Sequence, residues 1–201
     1  MPAKEQRHFS LKASLERIFK KPIHMPSRLD VSAQGLVVVS LSPRAHRGLQ
    51  QAFEGRRVTK TYLCASAHPC SWSQKTTNSP LGRDPLHPVL RMIDGINAQP
   101  AETHLTALGT SRSEDTDITV IRARPITGRT HQIRVHVASE GAPIFGDKFY
   151  GGAAATYLHL VSAAVGCAHP VTGTRLSVTL PASLRPSWVD QFASNFEITA
   201  E

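Results

Sequence analysis

Residues 127–143 restrict the fold of this chain more than any other segment, because signals for the start and the end of a helix stand close together there. Thr130 is a candidate N-cap, Gly141 suits a left-handed C-terminal cap, and Pro143 cannot continue a helix. We therefore predict a helix of about ten residues between Thr130 and Gly141, a usual length in globular proteins.

A strand is the alternative for this segment, since the apolar residues at 133, 135 and 137 alternate with polar ones. The two caps favour the helix. In a helix, Ile133 and Val137 stand four residues apart and face the core, which leaves Arg134 held at the edge of the core.

Short apolar segments separated by polar turns run through most of the remaining chain. We predict helices over 10–20, from Ser42-Pro43 to Gly55, and around 187–196. We predict strands over 36–39, 58–65, 89–94, 103–108, 118–124, 157–161 and 176–180, with no element in 68–88 and a polar connection over 109–116. Helices and strands that do not alternate strictly indicate an α+β domain, built on a mixed, mainly antiparallel sheet with flanking helices.

Charge and cysteine content narrow the class of protein. The 201 residues suit one domain, or one domain with a small lobe, and the formal net charge of +8 favours a polyanionic partner such as RNA. Three cysteines without a CxxC pair argue against a disulfide framework or a zinc ribbon and favour the cytosol. No apolar run approaches the roughly 20 residues that a membrane helix needs.

Several short motifs occur in a fixed order along the chain. They are Arg28-Leu29-Asp30 with Gly35-Leu36, Lys60-Thr61-Tyr62-Leu63, the run from Thr127 to His136, Pro143-Ile144 with Gly146-Asp147 and Tyr150-Gly151, Leu158-His159, and His169-Pro170 with Thr172-Gly173. In this order the motifs resemble the RluA-type family of RNA pseudouridine synthases, and the resemblance covers about residues 28–181.

The resemblance implies one pseudouridine synthase catalytic domain over residues 1–201, shortened at the N-terminus and without an appended RNA-binding domain. It also implies a cytoplasmic, monomeric enzyme that isomerises a flipped loop uridine of ribosomal or transfer RNA and needs no cofactor, metal or membrane. Ser27, Ala33 and Gln34 depart from the family pattern. An RNA-binding relative that has lost catalysis is therefore the alternative.

The resemblance also assigns catalytic residues. Asp30 is expected to start the reaction, either as a nucleophile or as a base. Arg134 is expected to lie within hydrogen-bonding distance of Asp30 and to stabilise its charged form. Tyr62 is expected to stack on the target base and to assist proton removal from C5.

Three further residues are expected to bind the substrate. Leu158 would close the pocket with an apolar side chain, and Arg28 and Arg129 would contact phosphate, Arg129 beside a helix N-terminus that suits anions.

The ten histidines raise the alternative of a metal hydrolase. His131 and His136 are five residues apart, which suits neither a helical pair of metal ligands nor one face of a strand. We therefore expect these two histidines to be structural, with ring nitrogens that donate hydrogen bonds to neighbouring backbone.

Overall fold

A computed structural model of the protein describes residues 10–196, which group into two compact units. The first unit contains the described residues up to Arg28, together with Val37–Val58 and Cys167–Leu176. The second contains Leu29–Leu36, Thr59–Gly166 and the described residues from Ser177 onward. Five of the six predicted site residues therefore belong to the second unit, whereas Arg28 belongs to the first.

The first unit contains both helices predicted for the N-terminal quarter of the chain. Helix α1 spans Leu11–Phe19, and its N-cap Ser10 accepts a hydrogen bond from the backbone N–H of Ala13 at 3.2 Å. Helix α2 spans Pro43–Glu54, with proline at its first position and Gly55 as its C-cap.

A seven-stranded sheet and a three-stranded sheet make up the β-structure. The seven strands are β1 (Gln34–Gly35), β2 (Thr59–Ser66), β3 (Gln74–Thr77), β7 (Thr103–Ser113), β8 (Thr116–Pro125), β9 (Leu160–Ala168) and β10 (Arg175–Thr179). Their order is β1-β9-β2-β8-β7-β3, with β10 also pairing with β9. The small sheet has the order β5-β4-β6, formed by Arg91–Ile93, Leu81–Arg83 and Ile96–Gln99. The β1–β9 pair is parallel and the other central pairs are antiparallel, which confirms the predicted fold class.

Several predicted strand positions were wrong. Residues 36–39 form no regular strand, because the residues that pair with β9 are the two that precede them, Gln34 and Gly35. The segment 68–88 contains β3 and β4, and β6 was not predicted. The strand expected over 157–161 begins at Leu160 and runs to Ala168.

The predicted connection over 109–116 is instead the end of a long β-hairpin. Strands β7 and β8 pair as far as Ser113 and Thr116, and the two residues between them, Glu114 and Asp115, have φ of 48° and 58°. Two left-handed residues form the two-residue turn that matches the twist of a hairpin. The sequence did not predict this end of the hairpin, because one face of its strands is exposed and the segment is therefore polar.

Helix α3 spans Gln132–Ser139, so the helix was the correct alternative for this segment. Gly141 has φ of 78° and its N–H donates to the carbonyl of Ala138, as expected of a left-handed cap. The predicted N-cap was wrong, since His131, with φ of 57°, occupies that position in place of Thr130. The segment Ser187–Phe196 is also helical, in the 3₁₀ form.

The core of the second unit covers both faces of the large sheet. On one face Leu63 and Val120 pack with Trp188 and Phe192. On the other face Ile133 and Val137 of α3 pack with a cluster that includes Leu105, Ile121, Cys64 and Leu158 and that Tyr62 also contacts. Tyr62 and α3 therefore share one face of the sheet. Across the described residues, no helix is long and apolar enough to cross a membrane.

We predict that Gly35→Ala lowers the free energy of unfolding by more than about 3 kcal/mol. Gly35 has φ of 104°, and an added Cβ would overlap the backbone of Ser162. Gly141→Ala is the matched control, because Gly141 also has a left-handed φ but has open space around it, so it should cost only about 1 to 2 kcal/mol. Urea denaturation measures both, and equal losses would contradict the close approach of β1 to β9.

Candidate active site

Asp30 lies in a loop that is fixed to the edge of the sheet. Its carbonyl accepts a hydrogen bond from the N–H of Ala33 at 3.0 Å, and Gln34 and Gly35 then pair with β9. The N–H of Leu36 donates to the carbonyl of Ser162 at 3.0 Å. The backbone on the C-terminal side of Asp30 is therefore held in place by main-chain contacts.

Tyr62 lies near Asp30 on the central strand β2. The pairing of β2 with β9 shifts register between Thr61 and Tyr62, and such a bulge changes the direction of the side chain that follows it. Burial raises the pKa of Tyr62, the charge of Asp30 raises it further, and a side-chain hydrogen bond with Ser162 opposes the change. Tyr62 is therefore a neutral phenol at pH 7.

Arg134 projects from α3 and its main partner is Asp147. Its Nε and Nη2 donate to the two carboxylate oxygens of Asp147 at 2.7 and 2.8 Å, which is the bidentate geometry of a strong pair. Its Nη1 lies 3.9 Å from Oδ2 of Asp30, within ion-pair range. The expected hydrogen bond between Arg134 and Asp30 is absent, because this separation of 3.9 Å exceeds hydrogen-bonding distance.

Asp147 is the site residue whose role the sequence did not reveal. Its side chain is 0% exposed, and its Oδ1 also accepts the N–H groups of Phe149 and Tyr150 at 3.0 and 3.3 Å. Four donors thus offset the desolvation of its charge. The sequence signal was the Gly146-Asp147 pair in a turn, where aspartate often binds nearby backbone.

The environment of Arg134 keeps it charged. Burial lowers the pKa of Arg134, but the hydrogen bonds and charge of Asp147 and the charge of Asp30 outweigh this and raise it. The guanidinium carbon also lies 4.9 Å from the ring centroid of Tyr150, a distance typical of a cation–π contact.

Tyr150 connects Arg134 to the start of α3. Its hydroxyl lies 2.8 Å from Nδ1 of His131 and accepts the N–H of Arg91 at 3.0 Å. Burial lowers the pKa of His131, which suits a neutral ring whose Nδ1 accepts the tyrosine proton. The expected backbone bond from His131 is thus replaced by one to a side chain.

The side chain of Gln132 fixes the first turn of α3. Its Oε1 accepts the hydroxyl of Thr127 at 2.7 Å and the N–H of Arg129 at 2.9 Å. Its Nε2 donates to the carbonyl of Glu102 at 2.8 Å and to Oγ1 of Thr103 at 2.9 Å. This network orients the helix that bears Arg134.

The three predicted substrate-binding residues differ in their burial and in their contacts. Leu158 is buried, 4% exposed, in the same apolar cluster as Ile133. Nε of Arg129 donates to the carbonyl of Pro100 at 3.1 Å, so the guanidinium is anchored to the protein on one side. Arg28 is exposed and belongs to the first unit.

His136 is a buried structural residue, as expected. Its Nε2 lies 3.0 Å from the carbonyl of Ser79 and its Nδ1 lies 2.9 Å from Oγ1 of Thr103. Burial lowers the pKa of His136, so the folded protein favours the neutral ring. Within residues 10–196, no group of three or more histidine, cysteine or acidic side chains is placed to hold a metal ion.

Comparisons with known proteins agree with the motifs and the fold. A sequence profile described as RNA pseudouridylate synthase matches residues 2–139. The uncharacterised RNA pseudouridine synthase YhcT of Bacillus subtilis is 33% identical over 156 residues, which cover 77% of this chain and 51% of that protein. The dual-specificity RNA pseudouridine synthase RluA of Vibrio parahaemolyticus is 28% identical over 197 residues, which cover 96% of this chain and 78% of that protein.

A second comparison concerns solved structures. Human RNA pseudouridylate synthase domain containing 1 superimposes with a TM-score of 0.80 at 25% identity, over 95% of this chain and 86% of that chain.

Among curated sequences, an uncharacterised RNA pseudouridine synthase of Chloroflexus aurantiacus is 36% identical over 167 residues, which cover 79% of this chain and 50% of that protein. The chain thus spans about half the length of the YhcT and Chloroflexus relatives.

We predict that Asp147→Asn lowers the free energy of unfolding by about 3 to 5 kcal/mol, because it leaves the buried Arg134 guanidinium without its carboxylate. Asp117→Asn removes an exposed acid and should change stability by less than about 0.5 kcal/mol. Urea denaturation measures both. Arg134→Met combined with Asp147→Leu should recover only part of the lost stability, because the N–H groups of Phe149 and Tyr150 still lose their acceptor, and a loss below about 1 kcal/mol for Asp147→Asn alone contradicts the buried pair.

The depressed pKa of His136 predicts a pH-dependent stability. Because the folded pKa lies below the unfolded value of about 6.5, the contribution of the neutral ring is complete above pH ~6.5 and is lost as pH falls through the folded pKa. The unfolding free energy of the native protein should therefore fall more steeply between pH 7.5 and 5 than that of His136→Gln. His68→Gln, at an exposed position, should retain the native slope, and identical slopes for all three proteins would refute the prediction.

Proposed function

The chain belongs to the RNA pseudouridylate synthase family, and from that premise we propose that it isomerises uridine in structured RNA to pseudouridine. The supporting observation is that the carboxylate of Asp30 lies 3.9 Å from a guanidinium that Asp147 holds in place, next to the partly buried phenol of Tyr62. This arrangement is one acid, one fixed cation and one aromatic ring on a single face of the sheet.

The reaction needs few participants. The bond from C1′ of the ribose to N1 of uracil breaks, a bond from C1′ to C5 forms, and the proton on C5 leaves, with no net oxidation. Asp30 starts these steps either as a nucleophile towards the nucleotide or as a base at the ribose. Neither route requires a metal or a redox cofactor.

Arg134 positions Asp30 in this proposal. Its Nη1 faces Oδ2 of Asp30 across 3.9 Å, and either route needs the carboxylate to be held in one place beside the nucleotide. Asp147 acts through Arg134 and is thus a positioning residue.

Tyr62 provides a flat surface for the uracil ring, since an aromatic side chain stacks on any base. Its hydroxyl is protonated at neutral pH because its pKa is raised. A neutral phenol can accept the proton from C5 only if it releases its own proton at the same time. The carboxylate of Asp30 lies close to Tyr62 and could receive that proton, once its bond to the nucleotide has broken or the ribose proton has been returned.

The substrate we propose is a uridine in a loop of ribosomal or transfer RNA. Such a base can leave its stack for a few kcal/mol, which contacts to the phosphate backbone offset. The formal net charge of +8 favours those contacts, with Arg28 and Arg129 as candidates near the motifs and Leu158 as the apolar wall. We further propose a single catalytic domain that acts as a monomer in the cytoplasm.

We predict that Asp30→Asn abolishes release of tritium from RNA labelled at C5 of uridine, with a decrease of at least about 1,000-fold in rate. Asp117→Asn, which removes an exposed acid, should retain the native rate, and a chelator should have no effect on either protein. The readout is single-turnover tritium release with mixed ribosomal and transfer RNA. Tight RNA binding without release by the native chain would instead support a binding protein that has lost catalysis.

A further inference from the structure

A basic groove lies away from Asp30, across three neighbouring strands of the large sheet. It has a volume of about 350 Å³ and crosses β3, β7 and β8. Its lining contains no acidic residue and consists of Gln74, Lys75, Thr76, His104, Leu105, Thr106, Arg122 and Arg124. Such a lining suits an anion.

Strand register assigns the two arginines to one face of the sheet. Arg122 lies opposite Leu63 on β2, and cross-strand partners share a face. Leu63 packs with Trp188, whereas Tyr62 packs on the side of α3. Because side chains alternate along a strand, Arg122 and Arg124 lie on the face opposite Tyr62.

The polar groups of this face form two rows in register. One row contains Thr76, His104 and Arg124, and the other contains Gln74, Thr106 and Arg122. The guanidinium of Arg122 donates to Oγ1 of Thr106 at 3.4 Å. Every side chain of both rows can donate a hydrogen bond, as recognition of phosphate oxygens requires.

The charges around the groove leave its centre positive. His104 pairs with Glu102 at 2.8 Å on the face of the arginines, whereas Lys75 alternates to the face of α3 and pairs there with Glu140 at 3.2 Å. Arg122 and Arg124 both contribute positive charge to the lining of the groove. Burial lowers the pKa of Arg122 and the charge of Arg124 lowers it further, which reflects the repulsion between like charges. An anion between them would relieve that repulsion.

The spacing of the arginines suits a nucleic-acid backbone. Residues two apart on a strand lie roughly 6.7 Å apart, close to the separation of successive phosphates in an RNA strand. The groove lining has no phenylalanine, tyrosine or tryptophan on which a base could stack, so its contacts would be to the backbone and independent of sequence.

We propose that this groove binds the phosphodiester backbone of an RNA segment that flanks the target uridine. The inference rests on the proposed function for the identity of the polyanion. Strand β3 is the edge of the sheet, about 14 Å from β2 across three strand spacings. A flank of several nucleotides could pass round this edge from one face to the other, so the substrate would be a loop with a single-stranded extension.

Binding of a uridine-free RNA tests the groove without any dependence on catalysis. The probe is a fluorescent single strand of adenosine and cytidine about 20 nucleotides long, titrated by anisotropy at several salt concentrations. Arg122→Gln with Arg124→Gln should weaken binding about tenfold at low salt and reduce the slope of log K against log salt by about 1.4. The matched control, Arg112→Gln with Arg175→Gln, removes the same charge at exposed positions that do not line the groove.

Equal losses for the two double variants, or no loss for the groove variant, would overturn the proposal. A measurement on the native protein covers the case in which the groove variant does not fold. Bound RNA should protect Arg122 and Arg124, but not Arg112, from modification by phenylglyoxal, and a lack of protection also overturns it.

Tritium release separates this inference from the proposed function. With a minimal hairpin, the groove variant should release tritium at the native rate, whereas with a 3′ or 5′ extended hairpin it should need about tenfold more RNA for half-maximal rate. If the native protein binds the uridine-free strand through the arginines but releases no tritium, the groove stands and the proposed activity fails. If the native protein releases tritium and the groove variant needs no more of the extended hairpin than the native protein does, the groove proposal fails and the proposed activity stands.

Discussion

The buried pair of Arg134 and Asp147 is the interaction on which the candidate site depends. Two guanidinium nitrogens bind Asp147 at 2.7 and 2.8 Å, and the third faces Asp30 at 3.9 Å. A bidentate pair fixes the plane of the guanidinium, so its free edge has a defined direction. An unfixed arginine side chain would lose more conformational entropy each time it faced Asp30.

Rigid elements surround this pair on each side. The loop of Asp30 is fixed by the approach of Gly35 to Ser162, and α3 is fixed by the hydrogen bonds of Gln132 to Thr127 and Thr103. Both sets of contacts involve backbone or buried polar groups, so neither set depends on exposed charges. Few polar groups therefore need to react with the substrate, because other residues, which do not react, hold them in position.

The sequence predicted the helix of residues 132–139 because a helix cap is a local signal, whereas the proximity of Asp30, Tyr62 and Arg134 was implied only by the family resemblance. It did not predict that Asp147 is the main partner of Arg134, since a contact between a helix and a later turn depends on tertiary packing. The N-cap at His131 was missed because a left-handed histidine is uncommon and Tyr150, distant in sequence, supports it. Strand β3 was missed because its four residues are all polar, and strand β4 because three residues are too few to show an alternation.

The most direct test of the central claim is a crystal structure of the protein with a hairpin RNA that contains 5-fluorouridine at the target position. Fluorine replaces the hydrogen that must leave C5, so the reaction cannot finish in the usual way. We expect the modified base to stack on Tyr62, with its nucleotide within bonding or hydrogen-bonding distance of the Asp30 carboxylate and with the pair of Arg134 and Asp147 intact. A nucleotide bound elsewhere, or an Arg134 released from Asp147 when RNA binds, would contradict the proposed site.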